Sequence, residues 1–184
     1  MSIKKGSGRK RRATPELEEI SSDGKRVLEL LQSEGDLACL LIGASYLDAC
    51  LGALLKQYLL PGDTSDALLD ASRGAIGTYQ ARADVAYALR LIAKPVLQDL
   101  RLIGQIRNQV AHDHLPAGFD APEVSALVAQ LQHNTYLPQL RSLWRLLELA
   151  GSPSPRHQFI TTIVSLQTQL LFTGLRLKHP VQGT

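Results

Sequence analysis

The stretch LACLLIGASYLDACLGALLKQYLL, Leu37 to Leu60, is the strongest constraint on the fold, because so long an apolar run must be enclosed on nearly every side. Its length suffices to cross a bilayer. Asp48 at its centre and Lys56 near its end oppose that reading, since a central carboxylate costs about 2.5–3.5 kcal/mol on membrane-insertion scales. The run is therefore expected to be the central buried helix of a water-soluble protein, with no membrane partner. Cys39 and Cys50 lie on this helix, about 16 Å apart along its axis. They are too far apart to bridge. Reduced, packed thiols in a cytoplasmic protein are the simplest account.

The remaining sequence points to an all-α fold. It has no sustained alternation of apolar and polar residues and few stretches rich in β-branched or aromatic side chains. Pro15, followed by Glu16, Glu18 and Glu19, has the form of a helix first turn running to about Ser33. The central helix is expected from about Asp36 to Leu60, where Pro61-Gly62 stops it. A short helix over Asp63 to Arg73 precedes a loop at Gly74 and Gly77. This Gly pair lacks the preceding strand and the Lys of a phosphate-binding loop.

A helix from about Gln80 to Ile92 follows, and Pro95 opens another that ends near Pro116. Asp120-Ala-Pro-Glu123 has the form of a capping box. Ser154 as N-cap with Pro155 at the first helical position starts a last helix that reaches about Leu177. At 184 residues, 45% of them hydrophobic, one domain is expected. The reading is a single-domain bundle of about six to seven helices over residues 14–178, with an arm at 1–13 and a frayed end at 179–184.

The formal charge of +3 is unevenly distributed. Lys4, Lys5, Arg9, Lys10, Arg11 and Arg12 all lie in the first twelve residues, whereas Ala13 to Thr184 holds 14 basic against 17 acidic side chains. KKGSGRKRR reads as a disordered basic arm, because Gly and Ser between like charges offer nothing to bury. A solvated tail is the simpler role for it. Nucleic-acid binding through phosphate contacts is the functional alternative. No apolar segment of the signal-peptide kind follows the arm.

IRNQVAHDH, Ile106 to His114, carries the candidate chemistry. At 100° per residue from Val96, Arg107 falls at about 20°, between Leu100 at about 40° and Ile103 at about −20°, inside the apolar stripe. A buried guanidinium needs acceptors. Asp48 is the obvious partner and Asp84 a competing one, so Arg107, Asp48 and Asp84 form the expected structural charge network. The same residues support a different use. Asn108 and His112, one turn apart, can share a polar pocket with Arg107. His112 could then serve as general acid or base in RNA cleavage, with Arg107 stabilising charge on phosphate oxygens.

His112 and His114 point about 160° apart on a helix, and the chain has no Cys-His cluster with zinc spacing. No metal and no cofactor are expected. Trp144 fits a core position, with a partner-facing anchor as the alternative.

IRNQVAH resembles the RNxxxH-type motif of the HEPN superfamily, helical domains that include metal-independent endoribonucleases and many non-catalytic relatives. A longer resemblance is to the mannitol operon repressor family. It is carried by GASYLDACLGALLKQYL with Asp48, by YQARADVAYALRLIAKPVLQDLRLIGQIRNQVAH, and by SPRHQFITTIVSLQTQLL, together roughly Leu37 to Leu171. Arg90 stands at that family's usual Gly position, while Gln109 and Val110 replace a polar or acidic residue and a Phe.

The resemblance implies a non-enzymatic transcriptional regulator that acts through a protein partner or a homodimer, with no helix-turn-helix. A HEPN-type ribonuclease using Arg107, Asn108 and His112 is the alternative. Nucleic-acid binding through residues 1–12 is a second.

Overall fold

The computed structural model describes residues 13–112, 118–132 and 154–177, the side chain of His112 excepted. These residues form seven helices and no strand: α1 (Pro15–Ser33), α2 (Asp36–Tyr58), α3 (Asp63–Leu69), α4 (Tyr79–Ala88), α5 (Lys94–His112), α6 (Pro122–Val128) and α7 (Pro155–Arg176). The basic arm, His114, Trp144 and residues 178–184 lie outside the described residues.

The apolar run forms α2, and α1, α3, α4, α5 and α7 all pack against it. This helix is long and apolar enough to cross a membrane, yet more than half of its most apolar window is buried inside the protein. Leu47, Leu51, Leu54 and Leu55 are fully enclosed, each stabilising the bundle by about 1.5–3 kcal/mol. Gly43 lets α7 approach closely. A Cβ there would stand 2.8 Å from the Phe159 ring and 3.1 Å from Ile163. Tyr46 ties α2 to α1 by donating from its hydroxyl to the Ile20 carbonyl at 2.9 Å.

The start of α7 is fixed by its cap and by one arginine. Ser154 Oγ accepts from the His157 N–H, as its N-cap position predicts. Arg156 donates to Asp36 Oδ1 at 2.6 Å and to the Leu31 and Glu34 carbonyls, which satisfies the end of α1. Asp36 Oδ2 accepts from the Phe119 N–H at 3.2 Å, and the Phe119 ring rests 5.5 Å from that of Phe159. One residue thereby joins the α1–α2 turn, the 118–119 segment and α7.

Three local expectations are corrected, the first being that α3 ends at Leu69 rather than at Arg73. The N-cap of α6 is Ala121, without a side-chain cap bond, in place of the expected capping box at Asp120. Pro122 occupies the first helical position, where its fixed φ and missing N–H cost nothing, and this moves the cap one residue onward. Helix α4 ends at Ala88 rather than near Ile92. There the Arg90 N–H bonds to the Tyr87 carbonyl and the Leu91 N–H to the Ala86 carbonyl, a Schellman motif. The motif puts Arg90 at φ 58°, the left-handed conformation that glycine adopts without strain.

Candidate functional site: a groove where α4 meets α5

Two glycines in the α3–α4 connection determine where α4 begins. A Cβ on Gly74 would come within 2.3 Å of the Leu68 carbonyl oxygen, and one on Gly77 within 2.2 Å of that of Asp70. Only glycine permits the chain to fold back so tightly against those carbonyls. Thr78 then caps α4, its hydroxyl accepting from the Ala81 N–H at 3.2 Å.

The next residue, Tyr79, packs edge-on against α5. Its ring lies 3.1 Å from where a Cβ of Gly104 would be, and its hydroxyl donates to the Leu100 carbonyl at 2.9 Å. Burial holds the Tyr79 hydroxyl well above the ordinary phenol range. The charge of Asp48 acts in the same direction, and that of Arg107 opposes it.

An open groove of about 450 Å³ lies beside this contact, lined by the cap Thr78, by Tyr79 and Gln80 from α4 and by Arg101, Gly104, Gln105, Arg107 and Asn108 from α5. Arg107 and Asn108 are exposed there. His112 is the last residue of α5, and its side chain lies outside the described residues.

The expected pairing of Arg107 with Asp48 or Asp84 is not what the structure shows. Asp48 pairs with Arg82, whose Nη1 reaches Oδ1 at 2.8 Å. The same guanidinium donates to the Ile76 carbonyl through Nε and to the Leu69 carbonyl through Nη2, at 3.2 and 2.9 Å. Arg82 thus fastens the loop before α4 to the middle of α2. Asp84 instead accepts from Arg101 at 2.9 Å and from Gln80 at 3.0 Å. Burial is the largest single influence on the Asp84 carboxyl and disfavours its charge, but the hydrogen bonds from Arg101 and Gln80 and the charge of Arg101 together outweigh it and leave its pKa below the ordinary value.

The contact face of α5 does not follow a straight helical projection. The buried line on α5 starts at Val96 and Leu100 and rotates towards Ile106 and Val110, so that Arg107 ends up beside the core line rather than on it.

Asp99 was not singled out by sequence reasoning. It is fully buried on α5, and its carboxylate accepts the Gln132 N–H at 3.0 and 3.1 Å, anchoring the chain just after α6. An acid within the Val96–Leu100 apolar run was the available signal. Among the described residues, no group of three or more His, Cys, Asp or Glu side chains is arranged to hold a metal.

No protein-family model matches the chain, and no curated protein matches it by sequence. Solved structures do match it by shape. MtlR of Escherichia coli, solved in complex with HPr, superposes with a TM-score of 0.63 at 20% identity, over 81% of this chain and 98% of that one. The chain has the MtlR-like fold. YggD of Shigella flexneri, described as a possible transcriptional regulator, superposes with a TM-score of 0.59 at 15% identity, over 82% of this chain and 97% of that one. The MtlR-like fold here is all-helical among the described residues, in agreement with the all-α expectation.

Proposed function

We propose that this chain is a non-enzymatic cytoplasmic regulator of transcription of the mannitol operon repressor type, acting through a protein partner or a second copy of itself. The reading rests on one observation: nearly the whole length of MtlR, a protein solved with HPr bound, is matched in shape. The partner of this chain is accordingly a protein of the HPr kind. Residues 14–178 form the proposed bundle, and the basic arm before it is a solubilising tail.

A second reading has its own support. Arg107 and Asn108 stand exposed in a groove rather than locked in an internal ion pair, as a ribonuclease site would require. In that reading His112 transfers the proton and Arg107 stabilises charge on a phosphate oxygen.

One pair of assays separates the two. The protein is titrated calorimetrically with HPr from its own organism, and wild type, Arg107→Ala and His112→Ala are incubated with RNA in the absence of metal. HPr binding without RNA cleavage is the expected result. Cleavage lost in both variants, with melting temperatures unchanged, would establish the ribonuclease. Polyanion binding that disappears when residues 1–12 are removed would reassign the arm to nucleic acid.

A further inference from the structure

The groove beside Tyr79 has a neighbour on the far side of Arg101. A second groove of about 440 Å³ is lined by Gln98, Arg101, Leu102, Gln105, Gln130 and Gln132. Arg101 and Gln105 border both, so the two grooves adjoin and are taken together as one trough along the exposed side of α5, from the start of α4 to the segment after α6. Gln98, Arg101, Gln105 and Asn108 recur at helical spacing and form one stripe along it. At 1.5 Å per residue the stripe is about 15 Å long, room for four or five residues of extended chain at about 3.3 Å each.

We infer that this trough is a docking site for an extended acidic segment of a protein partner. The inference deepens the regulator reading and rests on it.

Charge selects the sign of the occupant. Among the described residues no Asp or Glu lines either part of the trough, while Arg101 and Arg107 both do. The one acid of α5, Asp99, is buried. Asp84 lies beside Arg101 and offsets part of its charge, so Arg107 carries most of the attraction. The chain's own basic arm is excluded as occupant by like charge.

The remaining chemistry favours polypeptide over RNA. Gln98 and Gln105 each present a donor and an acceptor on one side chain, matching the alternating N–H and C=O of an extended backbone, and Gln130, which donates to the Ala126 carbonyl, adds its amide oxygen as an acceptor. Single-stranded nucleic acid is held largely by bases stacked on exposed aromatic faces. Among the described residues the only aromatic lining the trough, Tyr79, is buried against Gly104.

The test uses the full chain and a fluorescently labelled peptide of alternating Glu and Ser, read by anisotropy at low salt, with a Lys and Ser peptide and a single-stranded RNA as comparisons. The Glu and Ser peptide is expected to bind, more weakly as salt rises, and the Lys and Ser peptide is not. Arg107→Glu is expected to weaken binding about tenfold and Gln105→Lys to tighten it several-fold, with both variants melting like wild type because both sites are exposed.

No acidic-peptide binding, binding indifferent to both substitutions, or tighter binding of the RNA would overturn the trough. HPr run in parallel separates this inference from the function it rests on. HPr bound equally by wild type and Arg107→Glu, with no binding of the peptide, removes the trough and leaves the regulator. Peptide binding that depends on Arg107, with HPr not bound, supports the trough and removes HPr as the partner.

Discussion

Arg82 and Asp48 form a 2.8 Å ion pair that fixes α4 against the middle of α2, with the Arg82 side chain only 11% exposed. Replacing Arg82 with Ala strands a partly buried carboxylate and also frees the Leu69 and Ile76 carbonyls. Asp48 keeps 35% of its exposure, so the loss stays below that of a fully buried pair, at about 2–3 kcal/mol. Urea denaturation of Arg82→Ala is expected to show a correspondingly lower midpoint. An unchanged midpoint would mean that the pair is dispensable.

Arg90 gives a prediction of opposite sign. It occupies the left-handed position of the Schellman motif at the end of α4, with φ 58°. A non-glycine residue in that region costs about 1 kcal/mol. Arg90→Gly is expected to raise the melting temperature by about 2–4 °C, read by calorimetry. A lower melting temperature would show that the Arg side chain contributes more than the backbone strain it imposes.

At the α2–α7 crossing the margin for added volume is small. Gly43→Val would push branched methyls into the space held by Phe159 and Ile163. Overpacking at this contact should cost about 1–3 kcal/mol, visible as a shifted denaturation midpoint with a folded baseline. Equal stability would require α7 to slide without loss.

The two thiols supply a pH prediction. Burial pushes Cys39 up to about 11 and Cys50 up to about 12, from 9.0. The folded state therefore keeps its thiol protons after the unfolded chain has released its own. These groups leave stability unchanged below about pH 9 and reduce it as pH rises through 11 and 12. At pH 8 the native protein is expected to resist a thiol reagent until denaturant is added. Rapid labelling without denaturant would contradict the burial.

How much of this was legible beforehand depended on the kind of signal. Helix starts marked by Pro15, Ser154 and Pro155 were readable because capping is local chemistry. The enclosure of α2 followed from its composition. The partners of Asp48 did not, since pairing depends on how α4 lies across α2, and that in turn depends on the Gly74–Gly77 fold-back.

Arg107 was misplaced for a related reason. A straight helical projection assumes a fixed contact line, whereas the line on α5 turns along its length as the helix packs against α2, α4 and α6. Asp99 and Asp36 were legible as acids and illegible as anchors, because the N–H groups they accept belong to residues distant in sequence.

The burial of most of α2 has a consequence for biosynthesis. Its cover is completed by α7, whose first residue follows the end of α2 by roughly a hundred positions. At ordinary translation rates of about 5–20 residues per second, the most apolar helix waits on the order of 5–20 s for its last neighbour to leave the ribosome. A nascent chain that has not yet reached Ser154 carries that surface unshielded, so the step most exposed to aggregation, and most in need of a chaperone, falls before the final helix is made.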